Sequence, residues 1–424
     1  MKTTNLHLPT SFCRWLVFFG LLAVARLEAQ EALRVSLAGD AAAAQRKQAA
    51  STVGYYNLLW GPVAFRFSAG ESTEYNDRVR YGGTGQNASG SPSDVIIRPT
   101  VSAQLNWPVT EWNTLSLNLD AGYSFYAQNR DLNQFYLNPG SGISFDVYVQ
   151  DWVFTLRDLA KISQSITENP TQAGNNSSLL ENDVGVSGLW DLDKTVVNFG
   201  LNHVNYLDLT AAGNTNQLDS SSDNLNVNAG MRIIPEVLVG VSGGISLLNG
   251  SRFTSASGSM QWDTGLFVSA QVSEHLSARL DAGHSVYSPN NSTTNSPSEI
   301  SALYFQLSVT HQVNARVRYS LSTGHSIDFA YGQPQERYYV RLDSSWDFLR
   351  RFTINLPLSW EQGEQVGTTQ SVIYDQYSTG LTVSRGLTRK LSSSVYYRWV
   401  METSNLASLN YTANIVGLSL TWQF

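Results

Sequence analysis

The stretch from Tyr411 to Phe424 restricts the fold more than any other. Phe424, Trp422, Leu420, Leu418 and Val416 stand at every second position, with Gln423, Thr421, Ser419 and Gly417 between them. A period of two over nine residues is the pattern of a β-strand whose two faces meet different surroundings. One face here is apolar and bulky, the other small or polar. An edge strand of a soluble sandwich shows the same local pattern, so the rest of the chain must separate that fold from a strand with one face in lipid.

Composition favours lipid. Only 14% of the 424 residues are charged, against roughly 25% in soluble domains. Tyrosine (20), tryptophan (11) and glycine (32) are plentiful, which suits strands with a lipid face, aromatic girdles and polar turns. After the N-terminus no run of eighteen apolar residues occurs, which excludes helical spans. A formal net charge of −7 gives no basic footprint, so nucleic acid is not an expected partner.

The N-terminus reads as a secretion signal over residues 1–29. Lys2 and Arg14 precede an apolar core from Trp15 to Ala25, and Ala29 is a small residue before the cleavage point. The single cysteine, Cys13, precedes that core rather than following it, so it is no lipid anchor, and the exported protein is expected to lack cysteine. A barrel closed by its own hydrogen bonds needs no disulfide. Residues 30–60, with Ala41 to Ala44 and then Gln45, Arg46, Lys47 and Gln48, read as a periplasmic lead segment or linker, and 61–424 as the barrel.

Period-two segments fall near 61–71, 94–107, 113–127, 142–150, 152–163, 180–190, 194–208, 224–234, 236–248, 259–272, 275–288, 299–312, 314–327, 337–348, 351–362, 371–385, 388–402 and 409–424. That is eighteen strands, or sixteen if the first pair is mis-set. Links after alternate strands are tight, such as Asp151, Pro235, Val313 and Leu349-Arg350, whereas 72–93, 128–141, 164–179, 209–223, 289–298 and 363–370 are long and polar. Short turns on one side and long loops on the other belong to an all-β, up-and-down transmembrane barrel. Gly122, Gly244, Gly283 and Gly324 each open a Gly-x-Ser step, 122, 39 and 41 residues apart. The repeat of about forty is therefore one hairpin, and strands of ten or more residues are too long for propeller blades.

Opposite parity should be polar, and it is. Leu115, Leu117, Leu119, Tyr123 and Phe125 share one face, and Ser116, Asn118, Asp120, Ser124 and Tyr126 the other. The inward charges on this reading are Arg98, Arg157, Arg232, Arg279, Arg316, Arg318, Arg341 and Arg398, with Asp120, Asp263, Asp281 and Asp343. They are expected to line the solute path, either as a field favouring anions and hydroxyl-rich solutes or as a ladder that satisfies the wall. Inward Tyr126, Tyr206, Tyr287, Tyr339 and Tyr396 suit stacking on sugar rings or a girdle. Asp158 falls on the lipid parity unless a bulge re-phases its strand.

No catalytic residue, metal site or cofactor is expected. His203, His284 and His325 share the lipid parity near the outer rim, but Ser285 and Ser326 are adjacent in sequence and point to the other face. No metal-spaced cluster or phosphate-cradling glycine loop appears.

The aromatic final strand, with Leu418, Leu420, Trp422 and Phe424 as its signal residues, resembles the assembly signal of bacterial outer-membrane barrels. Gly70-Glu71-Ser72-Thr73-Glu74-Tyr75-Asn76-Asp77-Arg78-Val79, then Ser93-Asp94-Val95-Ile96-Ile97-Arg98-Pro99, resembles the β-barrel porin 2 family. Arg78 stands where that family often has Asn. The resemblance implies a porin-like barrel in the outer membrane of a Gram-negative cell, near exopolysaccharide export, with no catalytic residues. Its implied partners are outer-membrane lipid, the barrel-assembly machinery, and a hydrophilic solute or polysaccharide. The alternative is a non-conducting barrel whose polar outer loops bind a surface partner or glycan. Neither solute nor oligomeric state follows from the sequence.

Overall fold

The computed structural model describes residues 56–79, 93–164, 178–209, 219–249, 258–289, 299–330, 333–349, 351–365 and 371–424. The expected signal peptide, residues 30–55 and much of the long polar links lie outside the described residues. Strands β1 to β10 are Leu58–Trp60, Val63–Asn76, Asp94–Thr110, Asn113–Tyr126, Gln134–Val149, Trp152–Gln164, Ser178–Asp191, Thr195–Asp208, Ser220–Ile234 and Val237–Asn249. Strands β11 to β19 are Ser259–Ser273, Leu276–Pro289, Ile300–Asn314, Val317–Ala330, Gln333–Phe348, Phe352–Gln365, Val372–Gly386, Leu391–Ser404 and Tyr411–Gln423.

Each of β2 to β19 pairs antiparallel with its sequence neighbours, and β19 returns to β2, from Ile415↔Asn76 to Gln423↔Ser68. The eighteen-strand ring is closed, so each described strand from β2 to β19 finds a hydrogen-bonding neighbour on both sides. The sixteen-strand alternative is excluded. β1 is a short addition from the expected lead segment. Its residues pair with β2 below the seam, Leu58↔Phe65 to Trp60↔Val63. Asn57 joins it by donating from Nδ2 to the Phe67 carbonyl (2.7 Å), while its Oδ1 accepts the Phe67 N–H (3.0 Å).

The strands form where they were expected, with shifted ends. β2 runs to Asn76 and β5 begins at Gln134, so the loop expected over 128–141 shrinks to a few residues around a 3-10 turn, Arg130–Leu132. That turn closes a small apolar cap of Val79, Ile96, Tyr126 and Leu132. The turn expected at Val313 lies instead at Ala315–Arg316. There Asn314 Oδ1 accepts the backbone N–H groups of Arg316 (2.8 Å) and Val317 (3.0 Å), an Asx turn that ends the strand.

The exterior is apolar and bare. Val101, Leu266 and Leu303 are 62%, 66% and 74% exposed, one face of a continuous band of this kind that only a hydrocarbon solvent would tolerate. Asp158 and Glu71 are among the acids that share its parity. β6 pairs with β7 without a break from Trp152↔Trp190 to Gln164↔Ser178, so Asp158 keeps its exterior parity and is not re-phased. The bulge lies in the neighbouring β5, between Leu137 and Ser141, and Asp158 is instead satisfied by Asn182 Nδ2 at 2.7 Å. Glu71, between Leu420 and Pro99 in the ladder, also faces outward.

Candidate functional site

The inner wall carries ion pairs rather than free arginines. Arg98 meets Glu74 at 3.1 Å, Arg157 meets Asp183 at 2.7 Å, Arg279 meets Asp281 at 2.6 Å, and Arg232 meets Asp191 at 2.8 Å near the turn end. Arg341 and Arg337 share Glu361, at 3.1 and 3.3 Å. Asp120 accepts from Ser102 at 3.0 Å, and Asp263 from Gln261 at 3.1 Å. Asp343 keeps one buried oxygen with no hydrogen-bond partner among the described residues. Most of the expected lumen arginines thus belong to a ladder that satisfies the wall. Parity counting could have found the missing acids: Glu74 and Glu361 stand on the inward parity of β2 and β16. Glu74 lies beyond the strand end expected at residue 71.

Two of these pairs are built into larger nodes by tyrosine lying on glycine. Tyr396 sits directly opposite Gly417 in the ladder, and a Cβ at Gly417 would come within 2.2 Å of its ring. The ring therefore lies flat across β19 and places its hydroxyl to donate to Glu74 on β2 at 2.6 Å. Tyr374 lies on Gly363 in the same way and donates to Glu361 at 2.7 Å. Tyr339 lies against Gly324, with the Arg337 and Arg341 guanidinium groups 5.7 and 5.2 Å from its ring centre. These rings are wall elements, and Tyr126, Tyr287 and Tyr339 are buried. The stacking platforms expected for sugar rings are not formed by these three.

Two expected lumen cations stand apart from the ladder. Arg318, one residue into β14, and Arg398, midway along exposed wall of β18, make no ion pair among the described residues. Arg316 is not a lumen residue, because the Asn314 turn places it outside the strands.

The three rim histidines occupy one level, each eight residues past the first residue of its strand (Thr195, Leu276 and Val317). His203 pairs with Asp223 at 2.7 Å and His325 with Glu336 at 2.8 Å, each partner on the following strand. His284 Nε2 meets Ser301 Oγ at 2.9 Å across β12 and β13. The serine near His284 is therefore on the next strand, not the adjacent Ser285. No carboxylate bonds to His284 among the described residues, so this pair lacks the third group that orients a catalytic base.

The aromatic end of β19 lies on the exterior beside the seam. Leu418, Leu420, Trp422 and Phe424 are all exposed on one face, and the Phe424 N–H donates to the Phe67 carbonyl at 3.3 Å.

No family model and no curated protein matches the chain. Among solved structures, Pseudomonas aeruginosa OccK2 (OpdF) in complex with glucuronate is similar at TM-score 0.47 and 10% identity, over 85% of this chain and 98% of that one. The P. aeruginosa outer membrane protein OpdK gives 0.46 and 10%, over 85% and 98%. P. aeruginosa OprD gives 0.43 and 11%, over 85% and 95%.

Proposed function

We propose that this chain is an outer-membrane channel that gives hydrophilic solutes a diffusion path. The observation that carries the reading is the closed ring of eighteen strands with an apolar exterior and a charged, hydrogen-bonded interior. Barrels of this strand number are wide enough for an aqueous lumen. Arg318 and Arg398 make no ion pair among the described residues and are the groups that favour an anionic solute, set against the inward acids Asp120, Asp263 and Asp343. Saccharide remains a solute class through the resemblance of residues 70–99, which is also the sole support for a link to polysaccharide export. In this reading the exterior Leu418, Leu420, Trp422 and Phe424 mark the strand that the barrel-assembly machinery engages.

The test is planar-bilayer conductance of the purified barrel. Stable open steps with anion preference are expected, and Arg318→Ala with Arg398→Ala should weaken that preference. A silent wild-type barrel would refute the channel.

A further inference from the structure

The upper part of β14 does not stay in the wall. β13 continues upward to pair with β12 as far as Ile300↔Tyr287, but the β13–β14 ladder stops at Phe305↔His325. β14 and β15 go on pairing with each other to Ala330↔Gln333. Their shared tip has therefore left β13.

Three observations say where it went. Ile327 keeps the exterior parity yet is 4% exposed, while Leu303, which would stand beside it in a continued ladder, is 74% exposed. Gln261, on the inward face of β11, donates to the Ile327 carbonyl at 3.1 Å. Inward Ser285 and Tyr287 of β12 are covered, at 1% and 3% exposure. The tip is bent into the lumen, and its outer face lies on the inner face of β11 and β12.

His325 sits at the point of departure. Its Nδ1 meets the Leu303 carbonyl at 2.6 Å, and its Nε2 meets Glu336 Oε1 at 2.8 Å. A carbonyl oxygen only accepts, so Nδ1–H donates and replaces the ladder bond lost when β14 leaves β13. Nε2 then donates to the Glu336 carboxylate only if the ring carries its second proton. From β15 the groups facing it are Glu336 and the stacked Tyr338 ring at 4.2 Å. From β13 they are the uncharged Leu303 and Phe305, and beyond them His284 of β12 is engaged by Ser301.

We propose that the β14–β15 tip is a built-in constriction of the pore, that His325 and Glu336 latch it inward, and that it sets the size of solute admitted. The size limit rests on the channel reading above; the bent position does not. Loss of the His325 ring removes both contacts at once, which frees the tip to leave the lumen.

The experiment labels a cysteine placed under the tip. Ser285→Cys, in a chain whose only natural cysteine is Cys13 of the leader, is exposed to a membrane-impermeant maleimide, with heat-modifiability gels confirming folded barrel. Slow labelling is expected, rising about tenfold on adding His325→Ala, the scale of losing one charge-assisted hydrogen bond. Glu336→Gln should hold the rate low, because the glutamine amide keeps a hydrogen bond to His325 Nε2. Fast labelling of the parent, or a rate unmoved by His325→Ala, would overturn the latch. In parallel, His325→Ala should widen the size limit for uncharged sugars in liposome swelling. Changed labelling with no swelling in either protein would refute the channel and leave the bent tip standing.

Discussion

The sharpest quantitative consequence of the wall chemistry concerns Glu361→Gln. This residue neutralises half of a two-arginine node, at 3.1 Å from Arg341 and 3.3 Å from Arg337. Glutamine keeps an oxygen for the Tyr374 hydroxyl and nearly the same volume, so the barrel should fold as before. The lumen gains one positive charge. At about 10 Å from an ion on the pore axis, a unit charge in water is worth about 0.4 kcal/mol, and about 0.3 kcal/mol after screening at 0.01 M salt. Anions gain and cations lose a factor of about 1.7, so the anion-to-cation permeability ratio should rise roughly threefold. At 1 M salt the Debye length of about 3 Å removes nearly all of it. Reversal potentials across a tenfold salt gradient, taken at low and high mean salt, measure both. A ratio unmoved at low salt, or shifted equally at 1 M, would refute the assignment of Glu361 to an aqueous lumen.

Other outcomes follow from single contacts. Gly417→Val forces the Tyr396 ring off its seat and breaks its bond to Glu74, so the urea midpoint in detergent should fall by the equivalent of about 1–3 kcal/mol, the usual cost of overpacking; an unchanged midpoint would mean the ring has room to move. Asp158→Leu removes an acid from the lipid face and should stabilise the barrel by about 1 kcal/mol, since acids there cost less than the 2–4 kcal/mol of Arg or Lys, and a lower midpoint would show that Asp158 faces something other than lipid. Deletion of Phe424 should reduce the yield of folded barrel in membranes while leaving the conductance of assembled molecules unaltered, and a wild-type yield would remove any signal role from that residue.

Strand number and facing were legible because both follow from period two, which survives in nearly every segment. Strand ends were less so. Arg316 looked like a lumen residue because alternation continues through it, and only the Asn314 side chain, a turn signal present in the sequence, marks the stop. The Tyr396–Glu74 bond joins residues 322 apart. It depends on the stagger between β18, β19 and β2, which no local pattern encodes. The inward bend of β14 is hidden for a similar reason, since Ile327 keeps the parity of a lipid-facing residue and only the ladder shows that its surroundings have changed.

The paired nodes also limit where selectivity can reside. An arginine bonded to a carboxylate at about 3 Å presents a dipole whose field falls off faster than that of a charge. Arg98, Arg157, Arg232 and Arg279 are each paired in this way, so removing any one of them leaves an unneutralised acid and changes the lumen charge in the cation-favouring direction. Arg398 differs, because it makes no ion pair among the described residues and is exposed midway along β18. Its loss removes positive charge without orphaning a carboxylate. Arg398→Ala should therefore lower anion preference at little cost in stability, whereas Arg157→Ala should lower both, with Asp183 left 4% exposed and stripped of its cation. Equal stability losses in the two variants would mean that Arg398 also has a partner, and that the fixed charge of the pore lies elsewhere.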